Sequence, residues 1–298
     1  MDKEHKSIER IKMASDMSLA HYGQPLILTY SGGKDSDVTL ELFKRSGCPF
    51  KVVNFHTTID APPTVYHVRD EFRKCREAGI EAETMMPQYK GKPTTMWKLI
   101  EESLMPPTRV ARYCCTVLKE RTMSNCYIAT GVRWAESKNR QDMWDEFNAP
   151  AFKRKQNTER FNQIMLNNDN DARRRMTELC QTKHKMVVNP IIDWEDQDIY
   201  DFIESEHLNI NPLYKDYGYT RASCLGCPVA SKYKRIQEFR DFPKYKAAYI
   251  RAFGHMIESR RAKGKPTEWQ TGRDVFNWWM DTGDVIGQME WEDLGIMP

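Results

Sequence analysis

No stretch of this 298-residue chain is apolar for the roughly 18 consecutive residues that mark a membrane-spanning helix. The N-terminal segment MDKEHKSIERIKMASDM is charged and lacks the apolar centre of a secretory signal. These two absences predict a soluble, cytoplasmic protein without a membrane partner. No internal repeat occurs. Neither sign of charge dominates: 45 Lys plus Arg stand against 42 Asp plus Glu, for a formal net charge of +3. What is present is length, and with 40% hydrophobic residues the chain can bury a core without disulfides or metal. In an intracellular chain its 8 cysteines read as thiols or metal ligands rather than disulfides.

The small net charge conceals an uneven distribution. From Lys232 to Lys265 there are 11 Lys or Arg opposed by Glu238, Asp241 and Glu258 alone, whereas Asp281 to Pro298 has five acids and no Lys or Arg. Such a basic stretch suits either a solvated helix face or contact with nucleic acid. Tyr233, Phe239, Phe242, Tyr245, Tyr249 and Phe253 interleave with it, a pattern that fits base stacking or a helical core.

Earlier in the chain, short apolar runs alternate with helical patterns, which predicts a parallel α/β architecture. Pro25 to Tyr30, Lys51 to Phe55, Ala82 to Met86, Cys126 to Thr130 and Met186 to Ile192 read as strands. Asp35 to Arg45, Thr64 to Ala78 and Thr94 to Ser103 read as crossover helices. The expectation is a Rossmann-like, mostly parallel sheet of about five strands flanked by helices, with ligands at the strands' carboxyl ends and a helical C-terminal region. Residues 1–228 form the α/β domain in this reading, 148–185 a polar, mobile insertion, and 229–298 the basic, aromatic helical region.

The sharpest local signal follows the first strand, where Ser31, Gly32, Gly33, Lys34, Asp35 and Ser36 join strand to helix. Two glycines let backbone amides turn inward, and the helix start adds unpaired N–H groups and a positive dipole end. Lys34 supplies a point charge, and the Ser31 and Ser36 hydroxyls can donate to phosphate oxygens. The spacing matches neither the G-x-x-x-x-G-K-[ST] loop nor the G-x-G-x-x-G fingerprint. SGGKDS resembles instead the pyrophosphate loop of the N-type ATP pyrophosphatases and of the adenylylsulfate and phosphoadenylylsulfate (PAPS) reductases, the adenine nucleotide alpha hydrolase-like superfamily. In its triphosphate users the loop grips the departing pyrophosphate, so attack falls on the α-phosphorus.

Two further segments extend the resemblance. After the fourth strand, Gly131, Val132, Arg133, Glu136, Ser137 and Arg140 match the family's G-[IV]-R-x-x-E-S-x-x-R motif. Arg133 and Arg140 offer planar forks for phosphate or sulfate, Gly131 allows close backbone approach, and Glu136 can orient an arginine. After the second strand, Thr57, Thr58 and Asp60 match the adenosine-bordering segment loosely, and Asp60 suits a turn cap equally well. Trp194 to Tyr200 resembles the family's W-x-x-x-D-[IV]-[WY] helix, and Asn211-Pro212-Leu213-Tyr214 its N-P-L-Y run.

Four cysteines come as an adjacent pair, Cys114-Cys115, and as C-x-x-C, Cys224 to Cys227. Neighbouring side chains chelate one tetrahedral ion awkwardly, whereas a 4Fe-4S cubane offers separate iron corners. The spacing favours the cluster and leaves zinc, free thiols or a redox disulfide as alternatives. The pattern also resembles that of adenylylsulfate reductases and of the sulfur-insertion enzymes of DNA phosphorothioation. Sulfonucleotide reductases carry a nucleophilic cysteine in a C-terminal E-C-G-L-H motif; this sequence has no cysteine beyond Cys227.

The resemblance therefore implies an enzyme that cleaves ATP between the α and β phosphates, with Mg²⁺, to activate an acceptor for sulfur transfer. The acceptor is expected to be DNA or tRNA held through residues 232–265, and a cysteine desulfurase is an expected sulfur donor. Two alternatives stand beside it. One is an APS or PAPS reductase whose thiol comes from Cys48, Cys75, Cys126, Cys180 or a partner; the other is a non-catalytic nucleotide-binding subunit.

Overall fold

A computed structural model of the chain describes residues 2–120, 123, 125–136, 177–180 and 185–285. Contacts group the chain into two compact units, one of residues 1–54, 66–83 and 123–222, the other of 55–65, 84–122 and 223–298.

The first unit is built on a sheet. Helix α1 (Lys3–Tyr22) starts at Asp2, whose carboxylate accepts from the Glu4 amide, and stops at Gly23 in the left-handed conformation. Strand β1 (Leu26–Thr29) leads through the glycine loop to α2 (Lys34–Ser46), then β2 (Phe50–Phe55), α3 (Pro62–Glu77) and β3 (Glu81–Met85). In the second unit follow the two-stranded hairpin β4 (Gln88–Tyr89) and β5 (Lys92–Pro93), α4 (Met96–Ser103) and the short α5 (Tyr113–Cys115). The chain returns to the sheet with β6 (Tyr127–Ala129), β7 (Thr177–Cys180) and β8 (Lys185–Val188), followed by α6 (Asp196–Ser205) and α7 (Pro212–Lys215).

Strand order is β3-β2-β1-β6-β8-β7. The pairs β1–β2, β1–β6 and β6–β8 are parallel, so all five expected strands share the mostly parallel sheet. A sixth, β7, pairs antiparallel with β8 and falls within the stretch expected to be an insertion; residues 148–176 and 181–184 of that stretch lie outside the described residues. The expected fifth strand ends early, at Val188, because Asn189-Pro190 turns the chain.

The sheet's hydrophobicity positions the site. Leu26, Leu28, Val52, Ala129 and Val188 are buried against Ile11 of α1, Val38, Leu42 and Phe43 of α2, Phe72 of α3 and Ile199 of α6. Each large side chain so buried is worth roughly 1.5–3 kcal/mol. Strand order reverses between β1 and β6, so the loops leaving their carboxyl ends diverge and open a crevice there. The Ser31–Ser36 loop leaves one of those ends and Gly131 the other.

The second unit is mainly helical. Its later helices are α8 (Lys232–Asp241), α9 (Pro243–Ala262) and α10 (Gly272–Val285). Ser231 caps α8, and Pro243 at the first position of α9 sets the break between the two. Their core joins Phe239, Tyr249, Phe253, Met256, Phe276 and Trp279 to Met96, Leu99 and Ile100 of α4 and to Val117 and Leu118. Trp279 is buried with its indole N–H satisfied by the Pro107 carbonyl at 2.7 Å. Most of the aromatics in the basic stretch therefore face this core instead of forming a stacking surface, although Tyr233 is 84% exposed.

Candidate functional site

The glycine loop closes on itself before it can meet a ligand. Gly32 has φ +74°, the left-handed region in which glycine carries no steric cost. The Ser36 hydroxyl donates to the Gly33 carbonyl at 2.7 Å and accepts from the Gly33 amide at 3.0 Å, while the Ser31 hydroxyl lies 3.4 Å from it and is exposed. Ser36 thus braces the loop, a use the sequence did not suggest. The amides of Gly32, Asp35 and Ser36 donate to no group among the described residues. Unpaired N–H groups at a helix start, with the dipole behind them, attract an anion.

Beside the loop, two cations and two carboxylates alternate. Lys34 is buried, its Nζ 3.3 Å from Asp35 and 3.8 Å from Asp196. Arg133 is 2% exposed, and each of its three nitrogens donates a hydrogen bond: Nε to Asp35 at 2.6 Å, Nη2 to Asp196 at 2.6 Å and Nη1 to the Trp194 carbonyl at 3.1 Å. The hydrogen bond from Arg133 holds the Asp196 carboxyl below its ordinary value. Arg133 thus braces the loop through Asp35. Gly131 spends its missing side chain on helix packing, since a Cβ there would lie 3.1 Å from the Asp35 carbonyl oxygen and 3.2 Å from Thr39 Oγ1. Glu136 accepts from Arg221 at 3.1 Å. Ser137 and Arg140 lie outside the described residues.

Two groups of residues that sequence reasoning did not assign complete this region. Asn211, fully buried, donates to the Gly32 carbonyl at 2.7 Å, and the Tyr214 hydroxyl accepts from the Lys34 amide at 3.1 Å. The N-P-L-Y run was a visible signal without a visible role. Behind the loop, Tyr30 and His67 both bond Asp37 Oδ1, the imidazole at 2.9 Å. Burial raises the Asp37 carboxyl despite both bonds. Nothing local in the sequence pairs residues 30 positions apart.

The second unit holds the four cysteines. Thr57 and Thr58 also belong here, where the Thr57 hydroxyl lies 3.6 Å from Cys224 Sγ and Thr58 Oγ1 accepts from the Met96 amide at 2.8 Å. Asp60 caps the turn through the Thr57 amide at 2.9 Å. The C-x-x-C loop is seated on the aromatic core: Tyr249 donates to the Leu225 carbonyl at 2.9 Å. Gly226, at φ +68°, leaves room such that a Cβ would fall 2.8 Å from Phe239 and 2.9 Å from Trp279.

Charge couples the thiols. Cys115 is favoured as thiolate first by the hydrogen bond from Cys114 and then by Arg112, whose Nη2 lies 3.4 Å from its Sγ. Cys114 rises correspondingly, through that same bond and burial, and it also feels Cys224 and Cys227. Cys224 draws the Lys119 ammonium upward. No disulfide forms among the described cysteines. Among the described residues no group of three or more His, Cys, Asp or Glu side chains is gathered so as to hold one metal ion. Four thiols, with Arg112 and Lys119 beside them to offset anionic charge, form a donor set that fits a cluster with one sulfur for each metal corner.

Glu238 supports the same loop. It is 1% exposed and accepts from the Gly226 amide at 2.8 Å. Burial pushes its carboxyl from 4.5 to about 7. A raised acid favours the fold while protonated, so this contribution is complete below pH 4.5 and is lost as pH rises through about 7. The expected result is a thermal midpoint that falls over that window and a Glu238→Gln variant in which the fall is flattened. A melting series across pH, at constant iron loading, checks it.

The phosphoadenosine phosphosulfate reductase domain profile matches residues 25–230. The chain belongs to that family. A search of curated proteins gave no match. Among solved structures, the PAPS reductase of Candida auris in a phosphate complex has a TM-score of 0.45 at 13% identity, covering 74% of this chain and 88% of that one. The U34-tRNA thiolase NcsA of Methanococcus maripaludis, with its 4Fe-4S cluster, has a TM-score of 0.43 at 13% identity, covering 90% and 86%. The NH3-dependent NAD synthetase of Campylobacter jejuni has a TM-score of 0.40 at 14% identity, covering 91% and 99%. No helix among the described residues of this PAPS reductase-family chain is long and apolar enough to cross a membrane.

Proposed function

We propose that this protein binds ATP with its phosphate tail at the Ser31–Ser36 loop and cleaves it between the α and β phosphates, activating an acceptor for sulfur transfer. The observation that supports this reading is the trio of unpaired amides of Gly32, Asp35 and Ser36 beside a buried Lys34, since several N–H donors at a helix start with a cation next to them favour an anion. An acceptor oxygen attacks the α-phosphorus, the bond to the bridging oxygen breaks, and pyrophosphate leaves with the electron pair and the charge that the loop stabilises. A sulfur nucleophile then displaces AMP from the activated acceptor. Asp35 and Asp196 are the carboxylates that would take Mg²⁺ with the triphosphate. Cys114, Cys115, Cys224 and Cys227 would hold a 4Fe-4S cluster, which supplies a place for sulfide when bound.

For the acceptor we favour nucleic acid. Lys90, Lys92, Lys98 and Lys263 line a cavity of about 400 Å³ with Tyr89 and Thr94, opposed by Glu102 alone. Lys90 and Gly91 both have positive φ, the tight two-residue turn that fixes the β4–β5 hairpin on which two of these lysines ride. Lysines around a concavity suit phosphate contact.

The protein purified without oxygen, with iron loaded and DNA or tRNA present, should release pyrophosphate from ATP. The second reading, a sulfonucleotide reductase, is favoured by the family match itself. Consumption of adenylylsulfate or PAPS with thioredoxin, and no pyrophosphate from ATP, would replace the first reading by the second.

A further inference from the structure

We infer that Tyr214 is a phosphate-binding residue which donates its hydroxyl hydrogen to an anion held at the glycine loop. The inference rests on the proposed reading of that loop and adds a ligand-touching residue to it.

Tyr214 is held at both ends of its turn. Asn211 caps α7 through the Leu213 amide at 3.0 Å and donates to the Gly32 carbonyl at 2.7 Å, so the turn that carries Tyr214 is pinned to the loop. At the other end of the turn the phenol oxygen accepts from the Lys34 amide at 3.1 Å and from the Ala222 amide at 3.3 Å. A phenol oxygen has two acceptor positions and one hydrogen. Both acceptor positions are spent on amides, which cannot accept in return. The remaining capacity is donation, and no acceptor takes it among the described residues.

The location gives that hydrogen its purpose. The phenol oxygen lies 3.3 Å from the point where a Cβ on Gly33 would stand, and Ser31 Oγ lies 3.6 Å from the same point. Tyr214 therefore sits on the loop whose Gly32, Asp35 and Ser36 amides are unpaired. It also occupies the Lys34 amide, the first of the helix, which would otherwise point at an anion directly. The amide instead polarises the hydroxyl, and the hydroxyl reaches onward, so the helix end acts through a two-bond chain in which each bond strengthens the next. A ligand group that needs an acceptor finds none at this atom; a phosphate oxygen finds a donor. Burial, the largest effect, pushes the phenol up to about 12, so the hydrogen is retained at neutral pH.

Inorganic pyrophosphate is the probe, titrated calorimetrically into the full-length protein, because binding requires no turnover. Tyr214→Phe should weaken pyrophosphate by about tenfold or more, the value of a hydrogen bond to a charged group. That variant also strips two amides of their acceptor, so a second substitution separates the roles. Placing 3-fluorotyrosine at 214 makes the hydroxyl a stronger donor and a weaker acceptor. Pyrophosphate should then bind roughly twofold tighter while the thermal midpoint stays level or drops. Unchanged or weaker binding by the fluorinated protein would overturn the donor role and reduce Tyr214 to a brace. Wild-type protein that binds no pyrophosphate would instead defeat the loop reading on which the inference stands.

Discussion

Replacing Lys34 by alanine is expected to lower pyrophosphate release from ATP by about 10²- to 10³-fold while leaving bound iron unchanged. Lys34 is the residue of the loop that carries a positive charge, and it is buried between Asp35 and Asp196. Without it, those two carboxylates face Arg133 alone and the region becomes net negative, where a pyrophosphate must accumulate charge as it leaves. Lys34→Arg keeps the charge but brings a planar fork into a site only 6% exposed, so it should recover a fraction of the rate and not all of it. The measurement is steady-state pyrophosphate release with iron analysed on the same samples. A Lys34→Ala enzyme that works at the wild-type rate would mean that the loop does not hold the leaving group.

The second large effect concerns the thiols. Serine at any one of Cys114, Cys115, Cys224 or Cys227 should remove most of the brown visible absorption and most of the iron, from about four atoms per chain in the parent protein. Serine at Cys48, Cys75 or Cys126 should leave both intact. Cys75 is buried in the sheet unit's core, and Cys126 is buried at the start of β6, so their removal tests packing rather than ligation. Anaerobic reconstitution followed by iron and sulfide analysis reads the result. Equal loss in the Cys126→Ser protein would refute the ligand set.

Much of the sheet was legible because its strands are short apolar runs ended by Gly, Pro or polar turns, signals that act locally. Strand β7 was not: Thr177–Cys180 sits in a polar stretch, and what makes it a strand is pairing with β8. The glycine loop was legible for the same local reason as the strands. Its supporting network was not, because Arg133 meets a carboxylate 63 positions away. The W-x-x-x-D pattern pointed to Asp198, which turns out to cap α6 through the Glu195 amide and to bond Lys3. Asp196, at an undefined position of that pattern, is the partner of Arg133. The aromatics of α8 and α9 were readable as core or as stacking surface from spacing alone. Burial of Phe239, Tyr249 and Phe253 around Trp279 decides for core.

Neither unit is a continuous piece of chain; the polypeptide passes between them five times before it ends. During synthesis, the sheet unit cannot be completed until residue 222 has emerged, and the helical unit waits for α10. Cys114 leaves the ribosome well before Phe253, a member of the apolar group that later buries it. For that interval, several seconds or longer at about 5–20 residues per second, the first two thiols are open to oxidants, chaperones and metal carriers alike. The order of translation thus leaves these two thiols accessible until the last helix packs.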